Sequence, residues 1–316
     1  MSKCINIDLG TTNTVITVKN SDVILYEPSV IAIDNNSRRI LAVGSQAKEL
    51  LGKTPKDVSV ISPIKDGVIS DFESAVSMLK VFMSSILKKS VIRPKATVYM
   101  PQGITDMEKL AILEAISRSG GRGTHILEAP LAAAYSAGIP IDSATGNMIL
   151  DIGGGRTCAA VISFGGIVSS VSIASGGKKM DNCILEYIKK AHNTLIGEKT
   201  AENIKIQIGS AYPANPEKNL TVTGRDTKTG LPKEVLITSS EIREAISPVL
   251  LSIIDTIHKT LENTPAELIK DLTQNGIIIT GGVKNLCGIA QFIEENTGIP
   301  ARTVNDIYDL EKGVLQ

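Results

Sequence analysis

Apolar and polar residues alternate from the first few positions. "CINIDLG" (4–10) and "TVITVKN" (14–20) carry the period-two pattern of strands, separated by a turn containing "GTTN". The period then lengthens: Phe72, Val76, Leu79, Phe82 and Ile86 fall on one face at helical spacing. That predicts a helix to about Lys89, opened by a Ser70–Glu73 capping box. "ATVYMP" (96–101) is a strand, and Thr105 with Glu108 opens a second capped helix that Gly120–Gly121 ends. "THILEAPLAAAYSAG" (124–138) reads as a short strand and then a helix, with Pro130 in its first turn and Gly138 past its end.

After Gly146 the cycle restarts. "NMILDIGGG" and "CAAVISFGG" form strand, turn and strand, followed by "IVSSVSIA". Helical patterns cover "NCILEYIKKAHNTLIG" (182–197) and "TAENIKIQIGSA" (200–211). The polar "TVTGRDTKTGLPKEVLI" (221–237) reads as a hairpin with Thr229–Gly230 at its turn. Helices follow at 238–262 and 265–274, then the buried strand "NGIIITGG" and the helix "NLCGIAQFIEENTG" (285–298). Strands alternating with helices make an α/β protein, and its two halves start with the same device.

Composition narrows this picture. At 316 residues the chain is long enough for two domains of about 150. Lys plus Arg and Asp plus Glu both total 33, so the net charge is zero and no nucleic-acid partner is expected. The cysteines, Cys4, Cys158, Cys183 and Cys287, lie far apart without a CxxC pair, which suits reduced thiols in a cytoplasmic protein. The N-terminus enters a strand directly, so no signal peptide is expected. No apolar run reaches the ~18 residues of a membrane span.

The candidate chemistry lies in a phrase written twice, "IDLGTTNTVITV" (7–18) and "LDIGGGRTCAAVI" (150–162). A strand ending in Asp-x-Gly before a tight turn brings backbone N–H groups around an anion, because glycine lets the main chain approach closely. Gly10, Thr11 and Thr12 form one such loop, and Gly153, Gly154 and Gly155 the other. Two loops of this kind would clamp a triphosphate. Asp8 and Asp151 would then face a divalent cation through water, since Mg²⁺ keeps much of its hydration shell. A third glycine site, Gly281–Gly282 in "IIITGGVKN", stands between a buried strand and a helix start, a common resting place for a nucleotide.

With these three sites in order, the chain resembles the superfamily of actin, DnaK-type chaperones and sugar kinases. It is most similar to the MreB family of bacterial actin homologues. The segments carrying the resemblance are "IDLGTTNT", "PSVIAI", "GKTPKDV", "PIKDGVISDFE", "GITDMEK", "DIGGG", "GEKTAENIKIQIGSAYP", "GRDTKTGLPK" and "IIITGG". The resemblance implies an actin-like α/β fold: two ribonuclease-H-like lobes around a nucleotide cleft, each with a smaller inserted subdomain. The lobes would be residues 1–141, with a subdomain at about 32–74, and 142–316, with one at about 182–245.

It further implies an ATP- and ADP-binding, Mg²⁺-dependent cytoskeletal protein that assembles with itself into filaments and serves in cell shape. By that analogy Asp8, Gly10, Thr11, Thr12 and Asn13 make the first phosphate loop, and Asp151 with Gly153, Gly154 and Gly155 the second. Glu202 and Lys205 flank the adenosine, and Gly281, Gly282 and Val283 lie beside the adenine. Val283 replaces a third glycine usual in the family. Read on their own residues, Glu202 and Lys205 also suit a solvated i, i+3 ion pair.

Two positions depart from the family, and both bear on hydrolysis. Similar proteins carry an acid immediately before the proline of the "EAPLAAA" segment, where it positions the attacking water; here that position is Ala129, preceded by Glu128. A methyl group neither orients water nor accepts its proton, and Glu128 should point elsewhere. Arg156 stands where a threonine usually follows the three glycines. Its guanidinium either holds the nucleotide by charge-assisted hydrogen bonds or points to solvent. Binding with weak or absent hydrolysis is the expectation, and no catalytic residue is assigned beyond Glu128 as a candidate.

In "KKSVIRPK" (88–95), Val91 and Ile92 sit within a basic collar. That composition suits shallow insertion at an anionic membrane surface, on the inner face of the cell membrane. It equally suits a helix-to-strand connection with both side chains tucked inward. Other cytoskeletal or cell-envelope partners are not specified by the sequence. A sugar- or acid-kinase on the same fold is the alternative; it needs a carboxylate base and a substrate-binding insertion, and neither is evident. A chaperone nucleotide-binding domain is disfavoured, because no β-rich substrate domain follows.

Overall fold

The computed structural model describes residues 4–19, 24–87, 92–213 and 216–304. The chain divides into two compact units, Met1–Ala132 and Ala133–Gln316.

The first unit runs β1 (Cys4–Leu9), β2 (Asn13–Val18), β3 (Ile24–Pro28), β4 (Ile31–Asp34), β5 (Ile40–Val43), α1 (Ser45–Glu49) and β6 (Val58–Ile61). It continues through β7 (Ile64–Lys65), β8 (Val68–Ile69), α2 (Phe72–Leu87), β9 (Lys95–Met100), α3 (Asp106–Arg118), β10 (Arg122–Glu128) and the start of α4 (Ala129–Ser136). Its five-stranded sheet has the order β10-β9-β1-β2-β3. β1, β2 and β3 are an antiparallel meander, while β9 and β10 run parallel to β1. β4, β5 and β6 make a separate three-stranded sheet.

The second unit continues with β11 (Asn147–Ile152), β12 (Thr157–Ser163), β13 (Gly166–Ile173), α5 (Gly177–His192), β14 (Thr194–Leu195), α6 (Glu198–Ile208), β15 (Asn219–Asp226) and β16 (Pro232–Thr238). It closes with α7 (Ser239–Glu262), α8 (Ala266–Asn275), β17 (Ile277–Thr280), α9 (Ile289–Thr297) and β18 (Ala301–Thr303). Its main sheet has the order β13-β12-β11-β17-β18, again an antiparallel meander beside two parallel strands. The duplicated phrase is thus the first hairpin of each of two sheets built on one plan. β14, β15 and β16 form a smaller sheet of their own.

Each unit has its own core. In the first, Ile5, Ile7, Ile16 and Val98 from the sheet meet Met78, Leu79, Phe82 and Met83 of α2 and Ile112 and Ile116 of α3. In the second, Leu150, Ile152, Ile277 and Ile279 meet Ile184 and Ile188 of α5 and Ile246, Ile253 and Ile257 of α7. Burying one such side chain contributes about 1.5–3 kcal/mol. The cores therefore hold the strand ends that carry Asp8 and Asp151.

Three local expectations change. The Ser70–Glu73 capping box does not form: Asp71 Oδ1 accepts from the Ser74 N–H at 3.1 Å, and the Ser70 hydroxyl donates to the Pro63 carbonyl instead. The carboxylate one residue on out-competes the hydroxyl for the open helix end. α5 starts at Gly177, well before Asn182, and the chain leaves it at Asn193 in a left-handed conformation to make β14. After Gly281 the chain makes a short 3-10 turn (Gly282–Asn285), and α9 begins only at Ile289, after Gly288 with φ 72°. The Thr105–Glu108 capping box forms as read.

Candidate nucleotide site

In the first unit the loop after β1 closes with the Gly10 N–H donating to the Asn13 carbonyl at 3.1 Å. A Cβ on Gly10 would stand 2.6 Å from that oxygen, which explains the glycine. Side chains hold the rest. The Ser29 hydroxyl donates to the Gly10 carbonyl at 2.6 Å and lies 2.9 Å from Thr14 Oγ1, both residues fully buried. The Ser29 N–H donates to the Thr12 carbonyl at 2.9 Å. Thr11 Oγ1 accepts from the Gly67 N–H at 2.8 Å, and Asn13 Nδ2 donates to the Tyr26 hydroxyl at 2.8 Å. Asp8 lies on β1 opposite Val15 and Tyr99, on the half-buried face, with Ile7 and Leu9 turned into the core.

In the second unit the loop closes in the same way, the Gly153 N–H donating to the Arg156 carbonyl at 2.9 Å. Here main chain does the holding. The Gly177 and Lys178 N–H groups, at the start of α5, donate to the carbonyls of Gly153 at 3.0 Å and Gly154 at 2.7 Å. A Cβ on Gly176 would collide with the Gly153 carbonyl. Asp151 Oδ1 accepts from the Thr280 hydroxyl at 3.3 Å. Gly281, with φ 80°, passes so close that a Cβ there would stand 2.5 Å from the same oxygen. Burial pushes the neighbouring Cys158 thiol up to about 12; the Asp151 carboxylate adds to that shift, and the Arg156 guanidinium opposes it. Arg156 Nη1 donates to Ser172 Oγ on β13 at 3.1 Å, along the sheet.

Of the residues expected around the nucleoside, Lys205 and Val283 converge on Gly177 within the second unit. Lys205 Nζ lies 2.7 Å from Asp181 Oδ1 and donates to the Gly177 carbonyl at 2.9 Å. Lys205 therefore has a buried ion pair with Asp181. A Cβ on Gly177 would lie 3.3 Å from Lys205 Nζ, 3.3 Å from Val283 Cγ2 and 3.7 Å from the Gly154 Cα, so α5, α6, the 3-10 turn and the glycine loop converge there. Burial raises the Asp181 carboxyl above its ordinary range. Lys205 and Lys178 pull it back, and Glu202 adds to the rise.

Ser29, Gly176, Gly177 and Asp181 were not picked out from the sequence. For Asp181 a signal existed. It stands in the buried stripe of α5 with Met180, Ile184 and Ile188, and a lone acid on an apolar face needs a partner.

Ala129 is the first residue of α4, and Glu128 is the last of β10. Glu128 Oε1 accepts from Gln102 Nε2 at 2.7 Å, so its carboxylate is engaged with the segment after β9. In the candidate membrane loop, Ile92 is 50% exposed, while Val91, Lys88 and Lys89 lie outside the described residues. Among the described residues no helix is long and apolar enough to cross a membrane.

Comparison with known proteins decides the family. The sequence profile described as MreB/Mbl protein matches residues 2–310. The chain belongs to the MreB/Mbl family. The cell shape-determining protein Mbl of Bacillus subtilis (strain 168) is 42% identical over 306 residues, covering 96% of this chain and 92% of its own length. The cell shape-determining protein MreB of Escherichia coli (strain K12) is 41% identical over 311 residues, covering 96% and 90%. Among solved structures, MreB5 of Spiroplasma citri bound to AMPPNP superposes with a TM-score of 0.93 at 34% identity, covering 100% of this chain and 96% of that one. The MamK double helical filament superposes at 0.83 with 20% identity, a likeness of fold. The fold is actin-like, as the resemblance implied, and membership in this family does not favour the kinase alternative.

Proposed function

We propose that this MreB/Mbl-family protein binds ATP and ADP and assembles with copies of itself into filaments that serve in cell shape. The observation that carries the reading is the repeated Asp-x-Gly loop, closed by the same Gly-to-carbonyl bond at Gly10 and at Gly153. Two further facts support it: relatives above 40% identity are named cell shape-determining proteins, and MreB5 of Spiroplasma citri is solved with AMPPNP and with ADP. On this reading Gly10, Thr11, Thr12 and Asn13 hold phosphate oxygens, and so do Gly153, Gly154, Gly155 and Arg156. Glu202, Lys205, Gly281, Gly282 and Val283 hold the nucleoside. The functional lobes are residues 1–141 and 142–316. The small sheets β4–β6 and β14–β16 lie in the inserted parts, about 32–74 and 182–245.

Mg²⁺ fits the donor set. Among the described residues no three His, Cys, Asp or Glu side chains gather to hold a metal by themselves. Mg²⁺ is commonly held by one or two carboxylates together with phosphate and water, and Asp8 and Asp151 supply one carboxylate per loop. The ion would screen phosphate charge. Asp8→Asn and Asp151→Asn should each abolish the rise in melting temperature that Mg-ATP produces, and full retention of that rise would sink the assignment.

Hydrolysis on this reading is slow, because Ala129 offers no base and Glu128 is engaged with Gln102. Phosphate release measured alongside sedimentation with ATP and Mg²⁺ tests the proposal. Pelletable filaments with little phosphate are expected, and absence of both nucleotide binding and pelleting would overturn it. The 88–95 loop attaches filaments to anionic membrane on the inner face of the cell. Changing Val91 and Ile92 to Ser should weaken binding to anionic vesicles, and filaments of the unaltered protein that ignore such vesicles would refute this part.

A further inference from the structure

Lys205 does not reach the candidate site as a mobile charge. Its side chain is 15% exposed and that of Asp181 5%, and the two pair at 2.7 Å. The ammonium has three donors. The ammonium lies against the Asp181 carboxylate, and one donor is committed to the Gly177 carbonyl at 2.9 Å. The same Gly177 gives its N–H to the Gly153 carbonyl, and Lys178 gives its own to Gly154. A short run of bonds therefore leads from α6 through Lys205 and the first turn of α5 to the glycine loop. The run is tightly packed at Gly177, where a Cβ would lie 3.3 Å from both Lys205 Nζ and Val283 Cγ2.

Resting on the nucleotide reading above, we propose that Asp181 is a positioning residue of this site. It cancels the Lys205 charge and fixes the ammonium in one direction, so that Lys205 serves as a directed hydrogen-bond donor to the nucleoside rather than as a charge for the phosphates. A lone ammonium would attract triphosphate over a long range, whereas the neutral pair acts at contact distance.

Calorimetric titration with ATP, ADP and AMP tests this on the full chain, using the unaltered protein, Asp181→Asn, Lys205→Gln and the double variant. Asp181→Asn should weaken AMP by about tenfold and ATP by less, because the ammonium it leaves uncancelled now draws the phosphates, while Lys205→Gln should weaken all three nucleotides. The double variant should lose no more than Lys205→Gln alone. A merely structural Asp181 would weaken the three nucleotides equally, without regard to phosphate count. Equal losses for AMP, ADP and ATP in Asp181→Asn, a loss confined to ATP, or losses that add in the double variant would each overturn the proposal.

Should Asp181→Asn alone strand the ammonium and fail to fold, the double variant still decides, because removing both buried charges together is tolerated far better. Equal affinity of Lys205→Gln and the double variant supports the proposal, and a further loss overturns it. Failure of the unaltered protein to bind ATP or ADP sinks the nucleotide reading as well. Normal binding with additive losses sinks this inference alone.

Discussion

The two Asp-x-Gly loops share a closing bond and differ in what stands behind them. Gly10–Asn13 is held by side chains: Ser29 on Gly10, Thr14 on Ser29, Thr11 under Gly67, Asn13 on Tyr26. Gly153–Arg156 is held by the first peptide N–H groups of α5. Hydroxyls can be deleted one at a time. A helix end placed against glycines cannot be weakened that way; it can only be pushed off. The comparison teaches that one backbone geometry is compatible with two kinds of support, and that the sequence around each loop reflects its support. Thr, Asn and Ser surround the first, and glycine the second.

The sharpest way to test the asymmetry is chemical. Arg156 occupies the second loop where Asn13 occupies the first. Ala129→Glu with Arg156→Thr should raise phosphate release by about 10²-fold or more if the base alone is lacking. Robust phosphate release by the unaltered protein would instead make Glu128 the residue to replace next.

Stability should break the comparison next. Gly176→Ala drives a methyl group into the Gly153 carbonyl and should cost about 3 kcal/mol in chemical denaturation. Ser29→Ala leaves the Gly10 carbonyl without its buried donor and should cost about 1–2 kcal/mol. Equal costs would mean that the two loops are supported alike after all.

The small sheets carry a gentler version of the same contrast. β4 and β5 are joined through Asp34, whose Oδ1 accepts the N–H groups of Asn36 and Ser37. β15 and β16 are joined through Asp226, whose Oδ1 accepts those of Lys228 and Thr229. The Asp34 N–H donates to Arg39 and the Asp226 N–H to Leu231, so the turns have the same span. Near the end of each, one residue is left-handed: Arg38 at φ 58°, Gly230 at φ 75°. Arg38→Gly should therefore stabilise the first turn by up to about 1 kcal/mol, read as a rise in the denaturation midpoint.

The Thr229 and Lys228 N–H groups hold the Asp226 carboxyl down to about 2. Because the folded value lies below the unfolded one, this contribution is complete above about pH 4. It is lost as pH falls through about 2. NMR titration of Asp226 should show that midpoint, and Asp226→Asn should flatten the response.

What could be read from the sequence was what is local. The Thr105–Glu108 box, the hairpin about Thr229–Gly230 and the strand before Gly281 depend on residues a few positions apart. Ser70 misled because Asp71 competes for the same helix end. The start of α5 was hidden because "GGKK" carries no helix signal of its own; its first turn is ordered by the distant carbonyls of Gly153 and Gly154. The Asp181–Lys205 pair was hidden for the same reason, joining α5 to α6 across intervening chain. Sequence spacing offered Glu202 as one alternative partner for Lys205; the fold also pairs Lys205 with Asp181.

The sheet plan shared by the two units also constrains the order in which a growing chain can become finished protein. Asp8 pairs early with Val15 but must wait for Tyr99 on its other side, and Asp151 pairs at once with Cys158 but must wait for Thr280. Each Asp-x-Gly loop therefore emerges from the ribosome as a hairpin with one open edge. In the second unit that edge is β11, where Met148, Ile149, Leu150 and Ile152 all end fully buried. Until most of the polypeptide has been made, this strand presents apolar side chains and unpaired peptide groups together, a combination that invites wrong pairing. Protection of "NMILDI" during synthesis, by a chaperone or by fast pairing with β12, is then as much a requirement of this fold as any contact in the finished molecule.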